Sequence, residues 1–123
     1  MILLQANEVD TTLETYTDVA TLLAATGNTE ATFTNYARKT TLVETINVDN
    51  TNHWVLLSIP QQTFTSAGGT TNNTLTKILI AVQTATAGDA GLIPLTAHDY
   101  SVTTDGQNDL VIDFSVNGFY KAS

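Results

Sequence analysis

Apolar and polar residues alternate along most of this chain, and a period of two residues predicts β-strands. The alternation is clearest at 41–48 and 110–116, where Leu42, Ile46 and Val48 or Leu110, Ile112 and Phe114 share one face. Short apolar runs predict further strands that are buried more deeply. The segments predicted as strands are 2–5, 31–48, 54–59, 62–65, 77–83, 92–95, 100–102, 110–116 and 118–122.

One segment follows the helical period instead. Val19, Leu22 and Leu23 recur at i, i+3 and i+4, which predicts a helix over 17–25. Thr15 or Thr17 is expected to cap its N-terminus, with Asp18 in the first turn. Gly27 is expected to end it. The polar stretch 7–15 before this helix is predicted to be a loop.

Turn-forming residues separate the strands at short intervals. The clusters are 49–52, 66–73, 84–91 and the pair Asp105-Gly106. The first of them joins two strands, so 41–59 is predicted to be a β-hairpin. Many short strands separated by turn signals in 123 residues predict a mainly β protein, an antiparallel β-sandwich or jelly roll with one short N-terminal helix. No linker or repeat interrupts the chain, so 1–123 is interpreted as one domain.

Composition narrows the classes of partner. Net charge is −8 with four Lys and Arg residues in total, too few to neutralise a phosphate backbone, so nucleic acid is not an expected partner. An anionic membrane surface would repel the chain, and the longest apolar run, at 78–82, is too short to span a bilayer. The 24 Thr and 10 Asn residues predict a surface of hydroxyls and amides.

No residue pattern indicates catalysis or a cofactor. His98-Asp99 is the only adjacent acid-base pair, and it lacks a nucleophile in a Gly-x-Ser-x-Gly turn. There is no cysteine, and two His residues with scattered Asp do not form a metal-ligand spacing. Calcium in the Asp49 or Asp109 loops is conceivable, but solvated acidic loops are the better interpretation. We therefore expect that the protein is not an enzyme and that it binds neither a metal nor a cofactor.

Arg38 and Lys39 stand out because two of the four cations lie together, shortly after Tyr36. One interpretation is an internal salt bridge, for instance with Glu44. The other is an anchor onto an acidic partner surface or a neighbouring subunit, because Arg and Tyr are favoured in interfaces. The sequence leaves both open, and Tyr36, Arg38 and Lys39 are the candidate partner-binding residues. Among other aromatic residues, Tyr120 is a possible anchor and Trp54 is interpreted as core.

Several segments resemble small virion structural proteins of tailed bacteriophages. They are FTNYARKT at 33–40, VDNTN at 48–52, TNNTLTK at 71–77, IPLTAHDY at 93–100 and GFYKAS at 118–123. The likeness extends from about Glu30 to the end and includes a short helix before it. The chain departs from the family pattern at Val43-Glu44-Thr45, which stands in place of a turn that contains glycine.

The resemblance implies a structural role without catalytic residues. The function expected from it is that of a capsid decoration (cement) protein on the outer surface of the phage head. Such a protein binds the major capsid protein, is typically a homotrimer and stabilises the shell by bridging its subunits. The alternative is a head-fibre or tail-associated adhesion module. An outer location agrees with the charge of −8, because packaged DNA would repel the chain.

Overall fold

The computed structural model describes residues 1–123, of which 43% are in strands and 11% in helices. Two short helices, α1 (Asp10–Leu13) and α2 (Val19–Ala24), follow the first strand. A 3₁₀ turn lies at Asp89–Gly91. The strands are β1 (Ile2–Ala6), β2 (Thr29–Glu30), β3 (Thr45–Asp49), β4 (Trp54–Phe64), β5 (Thr74–Gln83), β6 (Leu92–Thr103), β7 (Leu110–Phe114) and β8 (Tyr120–Ala122).

These strands form two antiparallel sheets, which confirms the predicted β-sandwich. The first sheet has the order β2-β1-β5-β6. The second has the order β3-β4-β7, and β8 pairs with the N-terminal half of β4 on the same side as β7. No helix of the structure has the length and apolar character needed to cross a membrane.

Strand β1 is buried on both faces, because the first sheet is covered on both sides. Leu3 points between the sheets and packs in a core of 13 buried residues with Phe33, Phe64 and Leu75. Leu4 points the other way and joins Val19 and other residues of the helices in a second core of six buried residues. The apolar run at 2–4 thus reflects a central strand with two apolar faces.

The predicted helix is confirmed as α2, and Asp18 is its N-cap: a carboxylate oxygen accepts a hydrogen bond from the Thr21 N–H at 2.8 Å. The expectation of Thr15 or Thr17 as the cap is wrong. The predicted loop at 7–15 contains the single-turn helix α1, whose Leu13 is buried in the second core. One apolar residue in a polar turn gives too weak a periodic signal to reveal a helix of four residues.

The prediction of a strand over 31–44 is wrong. Ala31 and Phe33 are buried, but Asn35 and Thr41 have positive φ angles of 72° and 54°, which interrupt an extended chain. The backbone instead bonds to loops: Thr34 N–H donates to the Thr71 carbonyl at 3.0 Å. This segment lies across the sandwich as an ordered, irregular strap.

Other strand bounds differ because bulges let a strand continue where the alternation breaks. The predicted segments 54–59 and 62–65 are one strand, β4, with a register shift between Ile59 and Gln62. Likewise 92–95 and 100–102 belong to β6, which runs through His98 and Asp99 with two register shifts. The hairpin at 41–59 is confirmed with β3 and β4 as its strands, although β3 begins only at Thr45.

Candidate interaction surface

The two ends of the sandwich differ in how well they are covered. At the end where β4 and β6 finish and β5 and β7 begin, loops 66–73 and 104–109 fold over the core. Asp105 and Gly106 N–H groups both donate to the Ala67 carbonyl, at 3.1 and 2.8 Å. Buried Asn73 and Thr104 bond to each other through the Asn73 N–H and Thr104 Oγ1 at 2.9 Å. We call this the closed end.

At the opposite end, β3, the first half of β4 and β8 extend beyond the first sheet. The pairing register places Ile46 beside Leu57 and Tyr120, and Val48 beside Val55 and Ala122. Because side chains alternate along each strand, these rows lie on one face, and that face is apolar. It continues the inner face of the sheet, since buried Ile59 lies two residues beyond Leu57. Yet Ile46 is 62% exposed and Val48 61% exposed.

The first sheet contributes apolar side chains to the same end. Val82 is 45% exposed and Leu95 is 51% exposed. Between the two sheets lies a groove of about 650 Å³, and 12 of its 18 lining residues are hydrophobic. We call it the open-end groove; its lining is Met1, Ile2, Arg38, Lys39, Thr40, Thr41, Leu42, Glu44, Ile46, Leu57, Ile59, Ile80, Ala81, Val82, Gln83, Leu92, Leu95 and Phe119.

Arg38 forms the best-defined polar contact in the wall of this groove. Its Nε and one terminal nitrogen donate to the two carboxylate oxygens of Glu30 at 2.7 and 2.6 Å. Its guanidinium also donates to both oxygens of Asp89, one of them at 3.0 Å. The adjacent guanidinium lowers the pKa of Asp89. Two carboxylates therefore hold this side chain in one orientation, and the strap is tied to β2 and to the 3₁₀ turn.

Lys39 and Tyr36 are also engaged within the chain. The Lys39 ammonium donates to the Thr63 carbonyl at 2.7 Å and lies 4.5 Å from the centroid of the Phe64 ring. Tyr36 stacks on Phe64 with ring centroids 5.9 Å apart, and its hydroxyl donates to Glu30 at 2.8 Å. Burial, above all, raises the pKa of Tyr36.

The structure therefore brings the three predicted partner-binding residues together at the strap. Arg38 and Lys39 line the open-end groove, and Tyr36 lies against the core behind them. Of the two interpretations, the internal salt bridge is present, but its partners are Glu30 and Asp89. Glu44 lines the groove without pairing with Arg38, because the strap does not run as the strand that would place it alongside.

The other aromatic candidates lie on the projecting strands. Trp54 is half-buried and outside both cores, with the Lys121 ammonium 4.9 Å from its ring centroid, so its interpretation as a core residue is wrong. Tyr120 is 49% exposed on the apolar face described above. Sequence alternation revealed β3 and β4, but it gave no sign that their inner face extends past the opposite sheet.

The acidic residues singled out from the sequence accept hydrogen bonds from backbone N–H groups in turns and loops. Asp49 accepts hydrogen bonds from the Thr51 and Asn52 N–H groups, both at 2.9 Å. Asp105 does the same for Gln107 and Asn108, so each Asp-x-x-Asn stretch is a self-capped turn. Asp109 accepts from the Ser66 N–H at 2.8 Å. No three His, Asp or Glu side chains are grouped so that they could hold a metal ion.

His98 lies on the inner face of β6 with its ring 4.9 Å from that of Phe114. Its Nε2 is 2.9 Å from the Thr96 hydroxyl oxygen, and burial lowers its pKa, with Lys77 adding to the effect. Neighbouring Asp99 points to the opposite face, where it pairs with Lys77 at 2.5 Å. The two residues are adjacent in sequence but lie on opposite faces of a strand, so they do not act on one another.

No family model, curated protein or solved structure matches this chain.

Proposed function

We propose that this chain is a virion structural protein, a decoration (cement) protein of a tailed-phage head that docks on the major capsid protein through its open-end groove. The observation that carries the proposal is the set of exposed apolar side chains on the inner face of β3 and β8, namely Ile46, Val48 and Tyr120. The family resemblance suggests which protein is the partner, and the groove is a surface to which a protein partner could bind.

The composition of the groove favours a protein partner. Twelve of the 18 lining residues are apolar, and Arg38, Lys39, Glu44 and Gln83 are among the polar ones. Protein-protein interfaces likewise combine apolar contact area with polar and charged groups. Burying Ile46, Val48 and Leu95 removes apolar surface from water at about 25 cal/mol per Å².

A glycan-binding adhesion module, the alternative, would need exposed aromatic planes flanked by Asn or Asp. Tyr120 is a single exposed aromatic residue beside the groove, whereas the lining itself contains only buried Phe119 and neither Asn nor Asp. These features favour the capsid-binding function over receptor binding.

The arrangement on the particle is part of the proposal. The charge of −8 suits the outer surface of the head, away from packaged DNA. A homotrimer that assembles only on the shell, at local three-fold positions, would present three grooves to neighbouring capsid subunits. Each occupied groove would stabilise the assembled shell relative to its separated subunits, because the chain would bind the assembled state.

The test uses shells assembled from the major capsid protein encoded in the same genome. The chain is expected to co-sediment with them at a fixed ratio and to raise the temperature at which they dissociate. Leu95→Asp places a charge in the groove and is expected to weaken binding more than tenfold. Val116→Asp, at a site 77% exposed and outside the groove, is the matched control and is expected to bind as the parent does.

Thermal unfolding of each variant shows whether the fold is retained. The proposal fails if the parent chain does not bind these shells, or if folded Leu95→Asp binds them as tightly as Val116→Asp.

A further inference from the structure

We propose that the free edge of β3 pairs with the same edge of a second copy of this chain, antiparallel across a two-fold axis at Asn47. This contact uses the backbone edge of the sheet, whereas the proposed capsid contact uses its apolar face. It forms between free copies in solution and does not depend on the proposed function.

Edge strands present unpaired N–H and C=O groups, and proteins protect them by shortness, charge, proline or bulges. The other edges of this sandwich are protected in these ways. Strand β2 has two residues, and β6 contains Pro94 and two register shifts. Strand β7 carries Asp113 and pairs with β4 across a register shift, and β8 has three residues that include Lys121.

Strand β3 has none of these protections along most of its length. It pairs with β4 without interruption from Thr45 to Asp49, so the edge is straight over five residues. It contains no proline and no cation, and its one charge is Asp49 at the end. Thr45, Ile46, Asn47 and Val48 are all exposed. Such an edge is a template for one more antiparallel strand.

Its sequence is compatible with itself in that role. With Asn47 on the axis, Ile46 lies opposite Val48 of the second copy, and Thr45 lies opposite Asp49. Apolar side chains meet apolar ones, and no charge faces a like charge. The two Asp49 side chains are four residues apart along the strands, roughly 13 Å at about 3.4 Å per residue. That exceeds the screening length of about 8 Å in physiological salt.

Pairing would join the two sheets into one, with Ile46 and Val48 of both copies in a continuous apolar face. A contact of one five-residue strand buries less than the roughly 1,200 Å² of a stable standard interface, and both chains carry −8. The dimer is therefore expected to be weak, with a mass that rises with protein concentration and with salt.

The experiment places charges on the two-fold axis, of like sign within each variant and of opposite sign when two variants are mixed. Asn47→Lys and Asn47→Glu each put two like charges directly opposite one another, with Cβ atoms about 5 Å apart, and are expected to remain at 13.1 kDa. The parent is expected to approach twice 13.1 kDa by light scattering as its concentration rises toward 1 mM, on the order of weak interfaces. An equimolar mixture of the two variants is expected to dimerise at least tenfold more tightly than either variant alone.

The matched control is Asn117→Lys with Asn117→Glu, the same changes at an exposed Asn in the turn after β7. Each control variant is expected to associate like the parent, and their mixture is expected to dimerise no more tightly than either control variant alone.

A parent that stays at 13.1 kDa at all concentrations, or that reaches three times this mass, would overturn the two-fold contact. So would folded Asn47 variants that associate as the parent does, or a mixture no tighter than its components. Position 47 lies outside the groove lining, so failure here leaves the Leu95→Asp test of capsid binding unaffected.

Discussion

Strands β4, β5 and β6 reach both ends of this sandwich, yet one end is sealed and the other is exposed. At the closed end, two loops cross over Phe64 and Leu110, and their backbone groups bond to each other around Ala67. At the open end, β3 and β4 are joined by a four-residue turn at 50–53 that covers nothing. The inner face of a sheet thus becomes core or docking surface according to whether another segment covers it.

The largest expected contrast comes from removing apolar side chains at the two ends. Leu75→Ala, at a residue with no exposed surface, is expected to lower the free energy of unfolding by about 2–5 kcal/mol, since it leaves a cavity. Ile46→Ala is expected to change it by less than about 0.5 kcal/mol, since Ile46 is already mostly in water. Denaturant unfolding measures both, and equal losses would contradict the distinction between the ends.

Burial of charge extends the comparison to the covered outer face of the first sheet. The Lys77 side chain is 5% exposed there and pairs with Asp10 at 2.6 Å and Asp99 at 2.5 Å, whose own side chains are mostly exposed. Asp10→Asn with Asp99→Asn leaves a buried ammonium without a counter-charge and is expected to cost about 3 kcal/mol. Lys77→Met leaves two solvated carboxylates and is expected to cost less. Urea unfolding measures the free energy of unfolding of both variants. A larger loss of this free energy for Lys77→Met than for the double Asp→Asn variant would refute the predicted asymmetry.

Arg38 provides the corresponding ion pair at the open-end groove, where its side chain is 26% exposed. Arg38→Ala is expected to destabilise the fold by about 1–3 kcal/mol, because Glu30 and Asp89 lose charge-assisted hydrogen bonds. Arg38→Lys keeps the charge but not the planar fork, so it is expected to recover only part of the loss. Thermal unfolding measures the series. If Arg38→Lys were as stable as the parent, the bidentate contacts of the guanidinium with the two carboxylates would not contribute to stability.

The smallest expected effect is a dependence on pH. Burial lowers the pKa of His98 in the folded chain below the unfolded value of about 6.5, so folding favours the neutral ring. The associated stability is present above that pH and is lost as the pH falls below it. Measured between about pH 7.5 and 5.5, unfolding of His98→Gln is expected to show a flatter decline than the parent. His53→Gln, at the exposed turn, is the control and is expected to keep the parent's decline.

The strap illustrates how far local patterns could predict the fold. Buried Ala31 and Phe33 gave the spacing of a strand, but Asn35 and Thr41 adopt positive φ, and the polar groups of the backbone bond to distant loops. Arg38 was correctly singled out as unusual in an acidic chain, and an internal salt bridge was one of its two interpretations. Its partners lie 8 and 51 residues away in sequence, so spacing could not identify them.

By itself, the sequence determined what depends on neighbouring residues. The period-two alternation, the Asp-x-x-Asn turns and the one helical segment specify most of the strands, two of the turns and α2. The excess of 12 acidic residues over four cations determines the net charge of −8. Only the tertiary structure decided which apolar faces are covered. Ile46 and Ile112 occupy equivalent positions in alternating strands, yet one is 62% exposed and the other 4%. Burial depends on which distant segment lies opposite, and no local pattern records that.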